Sequence, residues 1–202
     1  MLSTKHKFLF IHIPKTGGNA IQKSLLPFSD DQVVFTNDMH DGIDRFEIRS
    51  QSINIHKHSS LEDYRSQLDK QTFEELLKIT CVRNPWDRCV SFFFSPHRGP
   101  VDWSEVAFAE FIKSTIKPHA HFLKTSTFTS NYFDNIDFYI RFEQISEDFK
   151  ALCEKLQIDS LQLPHINKSN RQGYQQYYKS QETIDLVSNI FRDEIDHFQY
   201  TF

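Results

Sequence analysis

The sequence predicts an α/β fold in three layers, with a mostly parallel central sheet flanked by helices. Short apolar runs, typical of buried strands, alternate along the chain with segments whose apolar residues have helical spacing. The first run, 8–13, leads through a Pro-Lys-Thr-Gly-Gly sequence into a helix-compatible segment. With 202 residues, 39% of them hydrophobic and 25% charged, the chain is expected to form a single domain over 1–202.

Four short apolar segments are predicted to be strands. In chain order they are 8–13, 52–58, 78–82 and 137–141. The second segment alternates, so that Ile53 and Ile55 share one face while His56 and His58 share the other. Residues 29–51 are polar and poorly periodic, which favours a loop.

Seven segments are expected to be helical. In chain order they are 20–26, 61–77, 85–94, 104–116, 119–125, 145–156 and 180–195. The segment 61–77 can form one helix or two. Asn84 and Ser180 are good N-caps, and Pro85 suits the first position of a helix.

Charge and composition exclude several classes of protein. The net charge of −4 and the pI near 6.2 argue against a nucleic-acid binder that relies on bulk positive charge. No apolar run approaches the roughly 18 residues of a membrane span, so a cytoplasmic protein with no membrane span is expected. Cys81, Cys89 and Cys153 lack metal-ligand spacing and are expected to be buried thiols.

The turn after the first strand predicts a cradle for phosphate. Its residues are Pro14, Lys15, Thr16, Gly17, Gly18 and Asn19. Glycine lets the backbone bring N–H groups close to an anion, and the start of the following helix adds roughly half a positive charge. Pro14 stands where a P-loop has glycine, and neither later strand ends in the Asp that would hold Mg²⁺. The alternative is a surface turn that happens to hold a lysine.

A second anion subsite is predicted where the strand 78–82 meets the next helix. The guanidinium of Arg83 can bind a phosphate there, and Ser91 lies two turns along the helix. Alternatively, Arg83 pairs with a carboxylate such as Asp87 and Ser91 has no role. Two anion subsites on neighbouring strands match 3′-phosphoadenosine 5′-phosphosulfate (PAPS), which carries phosphate at both ends of its ribose.

The chain resembles carbohydrate sulfotransferases of the Golgi-type family, including the heparan sulfate 2-O-sulfotransferase branch and its bacterial relatives. Their 5′-phosphosulfate loop is similar to residues 13–19, and their 3′-phosphate element is similar to residues 82–88 with Ser91. Further similarity follows in the same order at 137–143, 163–169 and 198–202. One departure is Asn19, where the family usually carries Thr or Ser.

The resemblance implies a P-loop NTPase-like sulfotransferase fold and a transfer without a metal. PAPS would be the co-substrate, 3′-phosphoadenosine 5′-phosphate (PAP) the product, and a hydroxyl of a glycan or glycoconjugate the acceptor. Lys15 would stabilise the leaving phosphate. The resemblance also implies a catalytic histidine near the second predicted strand, where we choose His58 as the general base and keep His56 as the second choice.

Other interpretations of the histidines remain open at this stage. The strand end could simply face water, or the His-x-His pairs at 56/58 and 119/121 could hold zinc. No Cys or carboxylate stands at ligand spacing, so no metal is expected. His12, on the first strand, is expected to be a hydrogen-bonded core residue.

A polar segment near the C-terminus is expected to close over the nucleotide. Lys168 and Arg171 are its candidate contacts, and the alternative is a solvated basic loop. Two rival functions also remain. A small-molecule kinase or NTPase would bind ATP with magnesium and ignore a 3′-phosphate. A non-catalytic nucleotide-binding module would bind PAP without turnover.

Overall fold

The computed structural model describes residues 1–35, 46–126, 131–159, 161–164 and 171–202. The strands are β1 (Leu2–Ser3), β2 (Phe8–Ile11), β3 (Gln32–Phe35), β4 (Phe46–Arg49), β5 (Leu77–Val82) and β6 (Phe138–Arg141). The helices are α1 (Gly18–Leu25), α2 (Leu61–Arg65), α3 (Lys70–Glu75), α4 (Pro85–Phe93), α5 (Glu105–Thr115), α6 (Ala120–Leu123), α7 (Ile145–Leu156), α8 (Gln181–Ile190) and α9 (Arg192–Phe198).

The central sheet has four strands in the order β1-β2-β5-β6. The pairs β2/β5 and β5/β6 are parallel, and β1 is antiparallel to β2 at the edge. Helices flank this sheet, so the predicted α/β class with a mostly parallel sheet is confirmed. All residues of β2 and residues 79–82 of β5 are buried, as expected for a sheet that is covered on both faces.

The parallel register brings three loops to one edge of the sheet. Ile11 at the end of β2 lies opposite Thr80 of β5, and Val82 at the end of β5 lies opposite Arg141 of β6. The chain therefore leaves these strands toward the same side. Ligands of parallel sheets bind outside the carboxyl ends of the strands, so this edge is where a site is expected.

The segment between α1 and α2 differs from the prediction. Residues 29–51 were expected to be a loop, but they contain β3 and β4, which form a separate antiparallel pair. Residues 52–58 were expected to be a strand, but they are irregular. The reason is local hydrogen bonding, since both backbone groups of Asn54 bond to the side chain of Gln67 at 2.6 and 2.8 Å. A side chain that satisfies a backbone in this way replaces a neighbouring strand.

Most helices lie where helical spacing placed them, with two refinements. The segment 61–77 forms two helices, α2 and α3, followed by the start of β5. The segment 180–195 was expected to be one helix, but it is interrupted at Phe191, and α9 then extends the helical stretch to Phe198. Ser180 caps α8 as expected, and Asn84 caps α4.

The apolar core falls into two clusters. The larger one surrounds the central sheet with residues of α1 and α7. The smaller one joins α4, α5 and α8 through aromatic side chains such as Phe93 and Phe108, whose rings meet edge to face at 5.2 Å. Cys81, Cys89 and Cys153 are buried and free, as expected. In the part of the chain that the structure describes, no helix combines the length and apolar character that crossing a bilayer requires.

Candidate active site

A cleft of about 1250 Å³ opens at the carboxyl edge of β2 and β5. Its walls come from the β2–α1 loop (residues 12–17), from α4, and from residues 171–174. Predicted site residues that line this cleft are Pro14, Lys15, Gly17, Gly18, Asn19, His58, Arg83, Ser91 and Arg171. The two predicted anion subsites therefore share one cleft.

The carbonyl groups of the β2–α1 loop are turned toward α4 and β5. Arg88 Nε donates a hydrogen bond to the Pro14 carbonyl at 3.1 Å, and Arg83 Nη1 donates to the Lys15 carbonyl at 3.0 Å. In a planar trans peptide the next N–H group points the opposite way from the carbonyl. The loop therefore directs its acceptors into the protein and its donors away from these arginines, which suits an anion.

Thr16 acts inside this loop. Its hydroxyl donates to the Ile13 carbonyl at 2.8 Å, and its own carbonyl accepts from the thiol of Cys81. The side chain is completely buried and does not line the cleft. Of the predicted cradle residues, Thr16 can thus contact an anion only through its backbone N–H group.

The two glycines are dictated by close packing. Gly17 has φ +93°, in the left-handed region, and a Cβ there would come within 2.7 Å of Ile145 Cδ1. A Cβ on Gly18 would come within 2.1 Å of the ring of His12. Glycine is therefore required at both positions, where α1 begins and its first N–H groups lack partners within the helix.

The backbone conformation and the side-chain contacts of Lys15, within this loop, set its charge state. Its backbone is in the left-handed region at φ +69°, and its ammonium group donates to Ser95 Oγ at 3.2 Å. Burial, followed by the charges of Arg83 and Arg171, lowers the pKa of Lys15 to about 8. An anion that enters the cleft would relieve this repulsion, so the lysine is set to gain a negative partner.

Arg83 forms the carboxylate pair that was the alternative interpretation, and its side chain also lines the cleft. It forms an ion pair with Asp87 at 2.7 Å, and its Nη1 group also donates to Ser91 Oγ at 3.1 Å. Its guanidinium lies over the ring of Phe142 at 3.7 Å. Nε and Nη2 contact Asp87, and Nη1 is directed to the Lys15 carbonyl and to Ser91 Oγ. A phosphate would therefore have to replace one of these contacts or use the remaining hydrogen of Nη2.

Asp87 links this subsite to the C-terminal part of the chain. It pairs with Arg83 on one oxygen and with Arg171 on the other. Arg171 is followed along the cleft wall by Gly173 and Tyr174. Lys168, the other candidate of this segment, lies outside the described residues.

His58 lies at the cleft, beside the start of α1. Its Nδ1 bonds to the His12 carbonyl at 2.9 Å, and only an N–H can bond to a carbonyl, so Nδ1 carries the proton and Nε2 is the free acceptor. The residue is exposed on its cleft side, while burial of the remaining ring lowers its pKa below the usual value. His58 is therefore neutral near pH 7 and its Nε2 lone pair is available.

The predicted strand placed His56 and His58 on one face, but in the structure they do not share a face. A turn closed by a hydrogen bond from Ser59 N to the His56 carbonyl at 3.0 Å separates them. His56 Nδ1 lies 2.9 Å from Arg49 Nη1, outside the cleft lining. The geometry thus favours His58 over His56 as the base.

His12 is the buried, hydrogen-bonded residue that was expected. Its Nδ1 lies 2.9 Å from Gln22 Oε1, and its ring stands 4.4 Å from that of His58. Burial lowers its pKa well below the usual value, so it is neutral. Among the described residues, no group of three or more potential metal ligands comes together.

Sequence reasoning missed three residues that shape the site. Ser95 lies two residues after the end of α4 at Phe93, so its contact with Lys15 depends on the turn that follows the helix, which helical spacing does not record. Phe142 follows β6 directly, but its stacking on Arg83 depends on the register of β5 and β6. Arg88 belongs to the motif 82–88, but no pattern in the sequence indicates that its side chain binds the β2–α1 loop.

The comparison with family models agrees with this geometry. The model of the sulfotransferase family matches residues 1–201. The chain therefore belongs to the sulfotransferase family, whose members transfer sulfuryl groups to hydroxyl-bearing acceptors. No curated protein and no solved structure gives a significant match.

Proposed function

We propose that this protein transfers a sulfuryl group from PAPS to a hydroxyl of a carbohydrate. The observation that carries the proposal is the single cleft in which Lys15 and Arg83 lie on adjacent segments, joined by the hydrogen bond from Arg83 to the Lys15 carbonyl. The family match over 1–201 supports one sulfotransferase domain. The motif resemblance to Golgi-type enzymes supports a carbohydrate acceptor.

The donor would bind by its two phosphate groups. The 5′-phosphosulfate would rest on Lys15, with the N–H groups of Gly17 and Gly18 and the start of α1 around it. The 3′-phosphate would meet Arg83 and the Ser91 hydroxyl. Charged hydrogen bonds of this kind are each worth about 1.5–3 kcal/mol, which is enough for a donor to be recognised at both ends.

His58 would act as the general base. Its Nε2 would take the proton of the acceptor hydroxyl as the oxygen attacks sulfur. The bond between sulfur and the bridging phosphate oxygen would break, and the new negative charge would develop on the 5′-phosphate of PAP. The ammonium group of Lys15 would stabilise that charge, which grows in the transition state.

The fixed tautomer of His58 supports this assignment. Its Nδ1–H is held by the His12 carbonyl, so the ring cannot turn Nε2 away from the cleft without losing that hydrogen bond. The lowered pKa keeps the ring unprotonated near neutrality. The proposed proton transfer needs no metal.

A turnover assay tests the proposed function. Purified protein would be incubated with radiolabelled PAPS and a panel of oligosaccharides in the presence of a chelator. The expected result is label on a sugar together with stoichiometric PAP. Transfer of phosphate from ATP with magnesium would favour the kinase alternative, and tight PAP binding without transfer to any acceptor would favour a non-catalytic module.

A further inference from the structure

A buried polar cluster lies behind the β2–α1 loop, on the side away from the cleft. It consists of Arg88 on α4, His119 just before α6, and Glu194 on α9. Their relative exposures are 2%, 0% and 0%. None of the three lines the cleft, so the proposed mechanism does not use them.

Arg88 connects this cluster to the loop. Its Nε donates to the Pro14 carbonyl at 3.1 Å, and its Nη2 donates to the Lys117 carbonyl at 2.9 Å. Its Nη1 faces Glu194 Oε2 at 3.8 Å. The guanidinium is thus aimed at the loop, with the carboxylate beside it.

Glu194 is fixed from the other side by His119. Glu194 Oε1 accepts a hydrogen bond from the His119 backbone N–H, and Oε2 lies 3.4 Å from His119 Nε2. Burial lowers the pKa of His119 well below its usual value, so the imidazole is neutral. Arg88, and Glu194 in its ionised form, are therefore the charged partners within the cluster.

Burial of this cluster is unfavourable for the free energy of folding. Among the described residues, four of its polar atoms have no hydrogen-bond partner: Arg88 Nη1, His119 Nδ1, His119 Nε2 and Glu194 Oε2. Buried charges with incomplete hydrogen bonding contribute little to stability and are often replaced by apolar side chains at no loss. The position of Arg88, directly behind the loop, gives the cluster a role other than stability.

The bond from Arg88 fixes the peptide that precedes Lys15. Because the peptide unit is planar, holding the Pro14 carbonyl also sets the direction of the Lys15 N–H group. Lys15 has φ +69°, a left-handed conformation that a non-glycine residue keeps only when its surroundings enforce it. Arg88 holds the carbonyl of the residue before Lys15, and Arg83 holds the carbonyl of Lys15 itself. These two hydrogen bonds enforce the conformation.

We propose that Glu194 is a positioning residue for the β2–α1 loop, which holds the Arg88 guanidinium at the Pro14 carbonyl and thereby keeps Lys15 in its left-handed conformation. The effect on nucleotide binding rests on the proposed function. The effect on the loop itself does not.

The charge of Glu194 changes near neutral pH. Burial raises its pKa to about 7, against the opposing effect of Arg88. The other titratable groups that act on it or feel its charge are His119, Asp193, Cys89 and Tyr132. Glu194 would thus be ionised at pH 8 and largely neutral at pH 6, and its hold on Arg88 would weaken on acidification.

Hydrogen exchange tests the loop without any ligand. Glu194→Gln keeps the shape of the side chain and removes its charge, and Asp196→Asn is the matched control on the exposed side of the same helix. At pH 8 we expect amide exchange in residues 12–18 to accelerate about tenfold in Glu194→Gln, as in a locally loosened segment, and to stay unchanged in Asp196→Asn. Unchanged exchange in a folded Glu194→Gln protein would overturn the proposal.

Nucleotide binding provides a second readout. At pH 8 the dissociation constant for PAP should rise about tenfold in Glu194→Gln, the usual effect of losing a partner in a charged contact. The difference from wild type should vanish near pH 6, where wild-type Glu194 is also neutral. A merely structural role would give the same ratio at both pH values. Absence of PAP binding to the wild type would count against the proposed function alone.

Arg88→Lys is a second test variant for the case in which Glu194→Gln does not fold. Lysine keeps the charge, but its single nitrogen cannot reach both the Pro14 and Lys117 carbonyls as Arg88 does. Faster exchange in residues 12–18 is again expected. Should neither variant fold, wild-type protection of residues 12–18 must decrease from pH 8 to pH 6 while that of β5 is retained, and constant protection would refute the proposal.

Discussion

The β2–α1 loop and the β4–α2 segment (residues 50–60) border the same cleft, but they are held in different ways. Side chains of β5 and α4 hold the loop by its carbonyls, and these elements belong to the buried sheet and its helix. The β4–α2 segment is held by the bond from His58 to the His12 carbonyl, by buried Ile55, and by exposed polar contacts such as those of Gln67 with Asn54. The difference predicts that the proposed donor side is the more rigid of the two and that the proposed base lies on a segment with more exposed support.

The largest expected effect concerns the base on the β4–α2 segment. His58→Ala should lower kcat by about a hundredfold or more, the usual contribution of a general base, and leave PAP affinity nearly unchanged. Steady-state kinetics and calorimetry measure the two effects. His56→Ala is the control, and a loss of turnover there instead would move the base to His56.

Arg83→Ala should act on the donor side. The binding free energy for PAP should weaken by about 1.5–3 kcal/mol, the usual worth of a charged hydrogen bond, while stability also falls because Asp87 loses one of its two partners. Calorimetric titration measures the affinity. Arg192→Ala, on an exposed helix position, is the control. Unchanged affinity in Arg83→Ala would remove Arg83 from the nucleotide site.

The charge of Lys15 makes donor binding depend on pH. Its pKa in the free protein is about 8, lowered from its usual value, so the ammonium form predominates at pH 7 and is lost as the pH rises through 8. PAP affinity should therefore decrease by about tenfold between pH 7 and pH 9, since one pKa unit corresponds to a factor of ten. Lys15→Met should bind weakly and without this dependence. The same slope in both proteins would exclude Lys15 as its origin.

The smallest effect should come from Gln67→Ala. This change removes two hydrogen bonds from Asn54 and should lower the free energy of unfolding by about 1–2 kcal/mol. Because the segment carries His58, kcat should fall a few-fold while PAP affinity stays constant. Chemical denaturation and kinetics check both values. A loss of PAP affinity would mean that the two regions are coupled.

The geometry of the β2–α1 loop and of the start of α4 was largely predictable because its determinants are local. The residues from Pro14 to Gly18 are typical of a tight turn that leads into a helix. Asn84 with Pro85 predicts where α4 begins. Parallel strands then bring the two motifs to one edge. The turn and the helix start depend on residues that are close in the sequence. The parallel order of the strands is predicted by the pattern of apolar runs.

The β4–α2 segment was predicted poorly because distant partners shape it. The alternation of Ile53 and Ile55 is typical of a strand, but Gln67 occupies the backbone of Asn54. The position of Arg88 behind the loop was also hidden, since its partner Glu194 is 106 positions later in the chain. No local pattern records a contact of that separation.

In the proposed function, one cleft binds a nucleotide by phosphates at both ends of its ribose. Calorimetric titration of the wild-type protein with PAP and with ADP, in the absence of magnesium, tests it most directly. The account predicts that PAP binds at least about tenfold more tightly, since its 3′-phosphate adds a charged contact. Equal affinity for the two nucleotides, or binding of ADP alone, would contradict it.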